Sequence, residues 1–175
     1  MKAFRTVVIV KQPVEPLWTT VRDRLPELVA LLDDIEAVEV LEREAVEPGV
    51  LRLVNRWTST QRVPGLLQAR LGAREVGWID RNVWTDAARR CDWRIEPAVL
   101  TEHIRCTGTT AYEPAMGGRG TRVTFAGEFE LAPTALRGLA GPLEQPLATF
   151  VESIVTILVP KNLHRLMDAA GRLLA

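Results

Sequence analysis

Only two cysteines occur in the 175 residues, Cys91 and Cys106, and only two histidines, His103 and His164. Two cysteines exclude a multi-disulfide scaffold and a zinc site made of cysteines alone. Two histidines argue against a histidine-rich metal centre. An excess of one charge sign is missing too: 22 Lys and Arg face 22 Asp and Glu, for a formal net charge of zero. Generic binders of nucleic acid or anionic membranes carry a basic excess, and no RNP-like aromatic motif replaces it. Nucleic acid is therefore not an expected partner. No apolar run reaches the roughly 20 residues of a bilayer span. The longest, Leu147 to Val159, contains Glu152 and stops at Pro160. The N-terminus carries Lys2, Arg5 and Lys11 around a short, alternating apolar stretch, unlike a signal peptide. The chain reads as soluble, without an integral membrane segment, and the cytoplasm is its expected compartment. The GxSxG, HExxH, Walker and CxxC patterns are absent. No cofactor or metal is expected.

What is present is a globular composition, 47% hydrophobic and 25% charged. The length suits one domain, expected over residues 1–175. Residues 3–11 (AFRTVVIVK) are β-branched and aromatic and read as a strand. Pro13 suits a first helical turn, and Val14, Leu17, Trp18, Val21 and Leu25 keep helical spacing. Pro26 starts a second short helix. Strands follow over 35–46 and 50–59 around Glu47-Pro48-Gly49, a turn signal. Residues 61–73 hold Pro64-Gly65 and one or two helical turns. Strands 75–85 and 90–96 form the next hairpin, and 101–112 and 121–131 another, joined by GGRG at 117–120. A stretch broken by Gly and Pro begins at Pro133. After Pro146 the period is helical, with Pro160 expected to kink or restart the helix.

This order predicts an α+β fold: a curved seven-stranded antiparallel sheet gripping a long C-terminal helix, with two short helices after strand 1. Strand twist curves such a sheet, and the helix fills only part of the concave side. The rest becomes an internal apolar cavity.

The order and spacing resemble the helix-grip fold of the START/Bet v 1-like (SRPBCC) superfamily over nearly the whole chain. The carriers are Val10, Pro13 and Trp18 in a VxxPxxxxW opening, the strand run, and the C-terminal amphipathic helix. VEVLEREAVEPGVLRLVNRW (38–57) and RNVW (81–84) are also faintly similar to PRELI-type lipid-transfer proteins. The superfamily resemblance implies a cavity for a hydrophobic or amphipathic small molecule. Its members include lipid and sterol carriers, hormone receptors, polyketide aromatase/cyclases and ring-hydroxylase subunits. Two histidines make the last a poor match, because its iron needs both beside a carboxylate.

Strand alternation selects the inward face. It holds Leu51, Leu53, Asn55 and Trp57; then Cys91, Trp93 and Ile95; then Ile104, Cys106, Gly108, Thr110 and Tyr112; and finally Val123, Phe125, Phe129 and Leu131. Strand 75–85 is ambiguous. Trp78 and Trp84 carry more apolar area than Ile79 and Val83, which turns Val76, Asp80 and Asn82 inward with them. The candidate ligand-binding set is Asn55, Trp57, Trp78, Asn82, Trp84, Thr110, Tyr112, Phe125 and Phe129, with Phe150, Ile154 and Leu158 from the helix. Buried polar groups need partners, so the polar members pair among themselves, with water or with a ligand.

Other signals have ordinary explanations. GGRG lacks phosphate-loop spacing and suits a hairpin turn. Cys91 and Cys106 pair by number if the hairpin centres between Ala98 and Val99, and read as buried thiols. His103 is expected on the outer face of its strand, and His164 as either a helix C-terminal charge or a cavity-rim group. The leading reading is binding or transport of a hydrophobic or amphipathic small molecule, such as a lipid, fatty acid or polyketide-like compound. The alternative is an aromatase/cyclase-type enzyme using Asp80, Asn82 and Tyr112, with Asp80 as the general base. A third is an interaction module with an exposed apolar helix strip. No motif decides between carrier and enzyme, or gives the oligomeric state.

Overall fold

A computed structural model describes residues 1–134 and 141–175. Residues 135–140, part of the Gly/Pro-broken stretch that begins at Pro133, lie outside the described residues. Strand β1 (Lys2–Val10) alternates, with Val8 and Val10 buried and Val7 and Ile9 exposed. Helix α1 (Val14–Asp23) buries Leu17, Trp18 and Val21, the stripe that its spacing predicts. Helix α2 (Leu25–Val29) opens with Pro26 in its first turn. The long hairpin β2 (Ile35–Glu47) and β3 (Val50–Arg62) turns at Gly49, whose φ of 77° suits glycine. Both strands run beyond the predicted ends.

Helix α3 (Gly65–Leu71) precedes β4 (Glu75–Thr85) and β5 (Arg90–Pro97). Strand β6 (Ile104–Ala115) begins later than expected, because Thr101–His103 form a 3₁₀ turn entered through Leu100 at φ 57°. His103 therefore sits in that turn and not on the outer face of the strand. Its carbonyl accepts the Ala132 N–H at 2.8 Å. Strand β7 (Gly120–Leu131) follows a turn through Gly117 and Gly118, both left-handed. The sheet order is β1-β7-β6-β5-β4-β3-β2, antiparallel at every step. The added turn also resets the β5–β6 register: Cys91 lies across from Thr110, and Cys106 across from Phe129. The two thiols are free, buried and not cross-strand partners, which corrects the numerical pairing.

The C-terminal helix runs as α4 (Glu144–Ser153), a π turn over Ile154–Leu158, and α5 (Val159–Leu173). The α geometry restarts at Val159, with Pro160 in the first turn of α5, as the sequence predicts, while the helical path continues without a break. The π turn just before Pro160 widens the helix where its ring would meet the preceding carbonyls and where its N–H is missing. With Pro160 accommodated, the helical stretch 141–173 is long and apolar enough to cross a bilayer by length and composition, unlike the shorter run read from the sequence. Its apolar side is committed to the sheet: Leu147, Val151, Val155, Met167, Ala169 and Ala170 are almost fully buried. Lys161 and Arg165 reach Asp34 at 3.1 and 2.6 Å, tying α5 to the turn before β2. His164 accepts or donates a 2.7 Å bond with the Thr6 hydroxyl on β1.

Candidate functional site

The helix does not fill the concave face of the sheet. A pocket of about 110 Å³ remains between α1, α5 and strands β3 to β7. Eight residues of the sequence-derived set line it: Asn55, Trp57, Trp78, Asn82, Trp84, Thr110, Tyr112 and Phe125. Asp80 lies among them. Strand β4 points Val76, Trp78, Asp80, Asn82 and Trp84 inward, with Arg81 and Val83 outside. Phe129, Phe150, Ile154 and Leu158 are placed elsewhere. Phe129, Ile154 and Leu158 are buried in the core, Phe150 packs partly buried against it, and none borders the pocket. The helix borders the pocket one to two turns further along, with Val159, Asn162, Leu163 and Leu166. Asn162 was missed by sequence reasoning. Its signal was a lone amide three residues after Val159 and four before Leu166, on an otherwise apolar stripe.

Aromatic packing builds the walls. Trp57 and Trp78 face each other across β3 and β4, stacked at 5.8 Å and 11°. Trp93 stacks on Phe125 at 4.6 Å and 14°. Trp18 meets Trp84 and Tyr112 edge-on, at 4.9 and 5.1 Å. Its indole N–H donates to Asp86 Oδ1 at 2.9 Å. Such pairs add about 0.5–1.5 kcal/mol each beyond area burial.

The polar groups concentrate around Asp80. The Trp57 Nε1–H donates to Asp80 Oδ2 at 2.9 Å. Asp80 Oδ1, Asn55 Oδ1 and both side-chain atoms of Asn162 are buried without hydrogen-bond partners. So are the Nε1 atoms of Trp84 and Trp93. Burial raises the Asp80 carboxyl from 3.8 to about 6, although the Trp57 hydrogen bond and the nearby Asn55 and Asn82 amides hold it down. Burial raises the Cys91 thiol well above its ordinary value, and the neighbouring Asp80 and Asp92 charges add to this. Tyr112 is raised well above its ordinary value by burial, and then by Cys91. Both stay protonated near neutrality. Among the described residues no cluster of three or more His, Cys, Asp or Glu could hold a metal ion.

Replacing Trp57 with Phe keeps the ring and deletes the donor. Trp57→Phe is expected to move the Asp80 midpoint above about 6 and to cost about 1–3 kcal/mol of stability at pH 8. The cost is smaller at pH 5, where the carboxyl is already protonated. A ¹³C NMR titration of Asp80 with urea unfolding at both pH values checks it; an unchanged midpoint contradicts it.

No protein-family model matches the chain, and no curated protein matches it in sequence. Solved structures do match along nearly its whole length. The Zhui aromatase/cyclase from Streptomyces sp. R1128 is 19% identical with a TM-score of 0.72, covering 99% of this chain and 96% of that one. Ara h 8.0201 is 18% identical with a TM-score of 0.60, covering 98% and 96%. Norcoclaurine synthase from Thalictrum flavum, in complex with dopamine and hydroxybenzaldehyde, is 15% identical with a TM-score of 0.62, covering 99% and 86%. The antiparallel sheet closed over a long C-terminal helix is a helix-grip architecture. It is the helix-grip, Bet v 1-like fold of these solved structures, as the sequence order indicated.

Proposed function

We propose that the protein binds a ring-sized hydrophobic or amphipathic small molecule in this pocket. One observation carries the reading: an aromatic-walled cavity of about 110 Å³ holds buried polar atoms, among them Asp80 Oδ1, Asn55 Oδ1 and the Asn162 amide, that have no protein partner. Mostly apolar walls with a few converging polar groups are the usual character of a ligand site. The volume favours a small ring compound over a long-chain lipid or fatty acid, since a dry cavity of about 150 Å³ takes benzene. The norcoclaurine synthase structure holds two single-ring compounds, dopamine and hydroxybenzaldehyde. We read the chain as one soluble, cytoplasmic domain that needs no cofactor.

Native mass spectrometry of the purified protein, with extraction of what is bound, tests this. The expected result is a co-purifying or added aromatic compound at one per chain, with quenched tryptophan fluorescence. Protein that responds to no ring-sized compound by mass, fluorescence or melting temperature refutes it.

A second reading is an aromatase/cyclase-type enzyme, favoured by the buried Asp80 on the pocket wall, whose carboxyl burial raises to about 6. A general base works best when its pKa lies close to the working pH. Asp80 would take a proton from an enolisable carbon and return it to a departing hydroxyl as water, with Asn82 and Tyr112 orienting the substrate. If this holds, Asp80→Asn lowers turnover by about 10²–10⁴-fold with little change in binding. Full turnover in Asp80→Asn, or none in the wild type on polyketide-like substrates, removes the enzyme reading.

A further inference from the structure

The pocket contains a charge that its described surroundings do not balance. Asp80 and Arg22 are the charged side chains among the described residues of the wall. Arg22 is already occupied, with Asp23 at 2.8 Å and Asp86 at 2.7 Å. Among the described residues no cation pairs with Asp80, and its Oδ1 is buried and unpartnered. An ionised carboxylate removed from water without a counter-charge is strongly disfavoured.

Two further free acceptors share the pocket. Asn55 Oδ1 belongs to the residue directly across from Asp80 in the β3–β4 register. Asn162 Oδ1 comes from the opposite wall, on α5. Asn55 is 1% exposed and Asn162 6%, so bulk water does not satisfy either one. The surrounding wall is Trp57, Trp78, Trp93 and Phe125, whose π-systems attract cations. A hydroxyl can donate to one of the three oxygens. An ammonium group can donate to three and brings the missing charge. An anion would be repelled by Asp80.

We propose that the ligand class of this pocket is an amine: a protonated ammonium group seated between Asp80 Oδ1, Asn55 Oδ1 and Asn162 Oδ1, on a ring-sized aromatic body. The proposal rests on the reading of the pocket as a ligand site and names the ligand that the site selects. The unpartnered indole N–H groups of Trp84 and Trp93 suit an acceptor on that ring, such as a hydroxyl oxygen.

Calorimetric titration of the full chain with tyramine, tyrosol and 3-(4-hydroxyphenyl)propionate tests it, because the three share a ring and differ in head-group charge. Tyramine is expected to bind about tenfold or more tightly than tyrosol at pH 8, with the propionate weakest. The preference should collapse at pH 5. Of the titratable groups facing Asp80, Cys91 on β5 and Tyr112 on β6 stay protonated and Arg22 on α1 stays charged across this range. Asp80→Asn should abolish the preference while tyrosol still binds. Asn162→Leu should weaken tyramine more than tyrosol, and with the wild-type pH dependence it decides the matter if Asp80→Asn does not fold. Tyrosol binding as well as tyramine at pH 8 overturns the amine assignment and leaves the pocket reading standing. Failure of all three to bind overturns both.

Discussion

Gly108→Ala is expected to destabilise the protein by about 1–3 kcal/mol and to disturb the tryptophan stack beside the pocket. Gly108 on β6 lies between Trp93 on β5 and Gly127 on β7. The Trp93 ring lies across both glycines. A Cβ on Gly108 would stand 2.3 Å from Trp93 Cζ2 and 2.2 Å from the Ala126 carbonyl oxygen. The second contact is backbone in the sheet, so rotation of the indole alone does not relieve it. Gly127 has the same conflict, with Trp93 Cη2 at 2.4 Å and the Thr107 carbonyl at 2.7 Å. A strand glycine normally weakens its strand, and here it marks a close approach. Thermal unfolding and the Trp emission maximum check the prediction. An unchanged melting temperature in both Gly108→Ala and Gly127→Ala would show that the indole does not occupy that slot.

The second large effect is a pH-dependent stability difference between wild type and Asp80→Asn. Folding raises the Asp80 carboxyl from 3.8 to about 6. Between those values the folded protein holds a proton that the unfolded chain has released. The stabilising contribution of Asp80 is thus fully present below pH 3.8 and is lost as pH rises through about 6. The interval corresponds to about 3 kcal/mol. Asparagine does not titrate. The stability of Asp80→Asn relative to wild type should therefore rise by about 2–3 kcal/mol from pH 4 to pH 8, read by urea unfolding across that range. Parallel pH–stability curves for the two proteins would mean that Asp80 is not buried as described.

Much of the fold was legible because its signals are local. Alternation in LRLVNRW and VGWIDRNVW marked strands and their inner faces, and the larger area of Trp78 and Trp84 over Ile79 and Val83 chose the face of β4 that brings Asp80 to the pocket. The candidate site was legible on the sheet for the same reason, since a pleated strand alternates whatever it pairs with. On the helix it was not. Phe150, Ile154 and Leu158 keep helical spacing, but spacing does not reveal how far along the helix the pocket lies. Asn162, one turn beyond Leu158 and on nearly the same face, borders it instead.

By itself the sequence determined the order of the elements, the antiparallel strand run and the inner faces of strands β3 to β7, because these follow from side-chain periodicity and turn chemistry over a few residues. Only the tertiary structure decided the β5–β6 register, which separates Cys91 from Cys106, the continuation of the helix through Pro160, and the placing of Asp80, Asn55 and Asn162 on the walls of one pocket. Those depend on how distant segments pack. Register and helix phase are set by contacts across the core, which leave no local pattern in the chain.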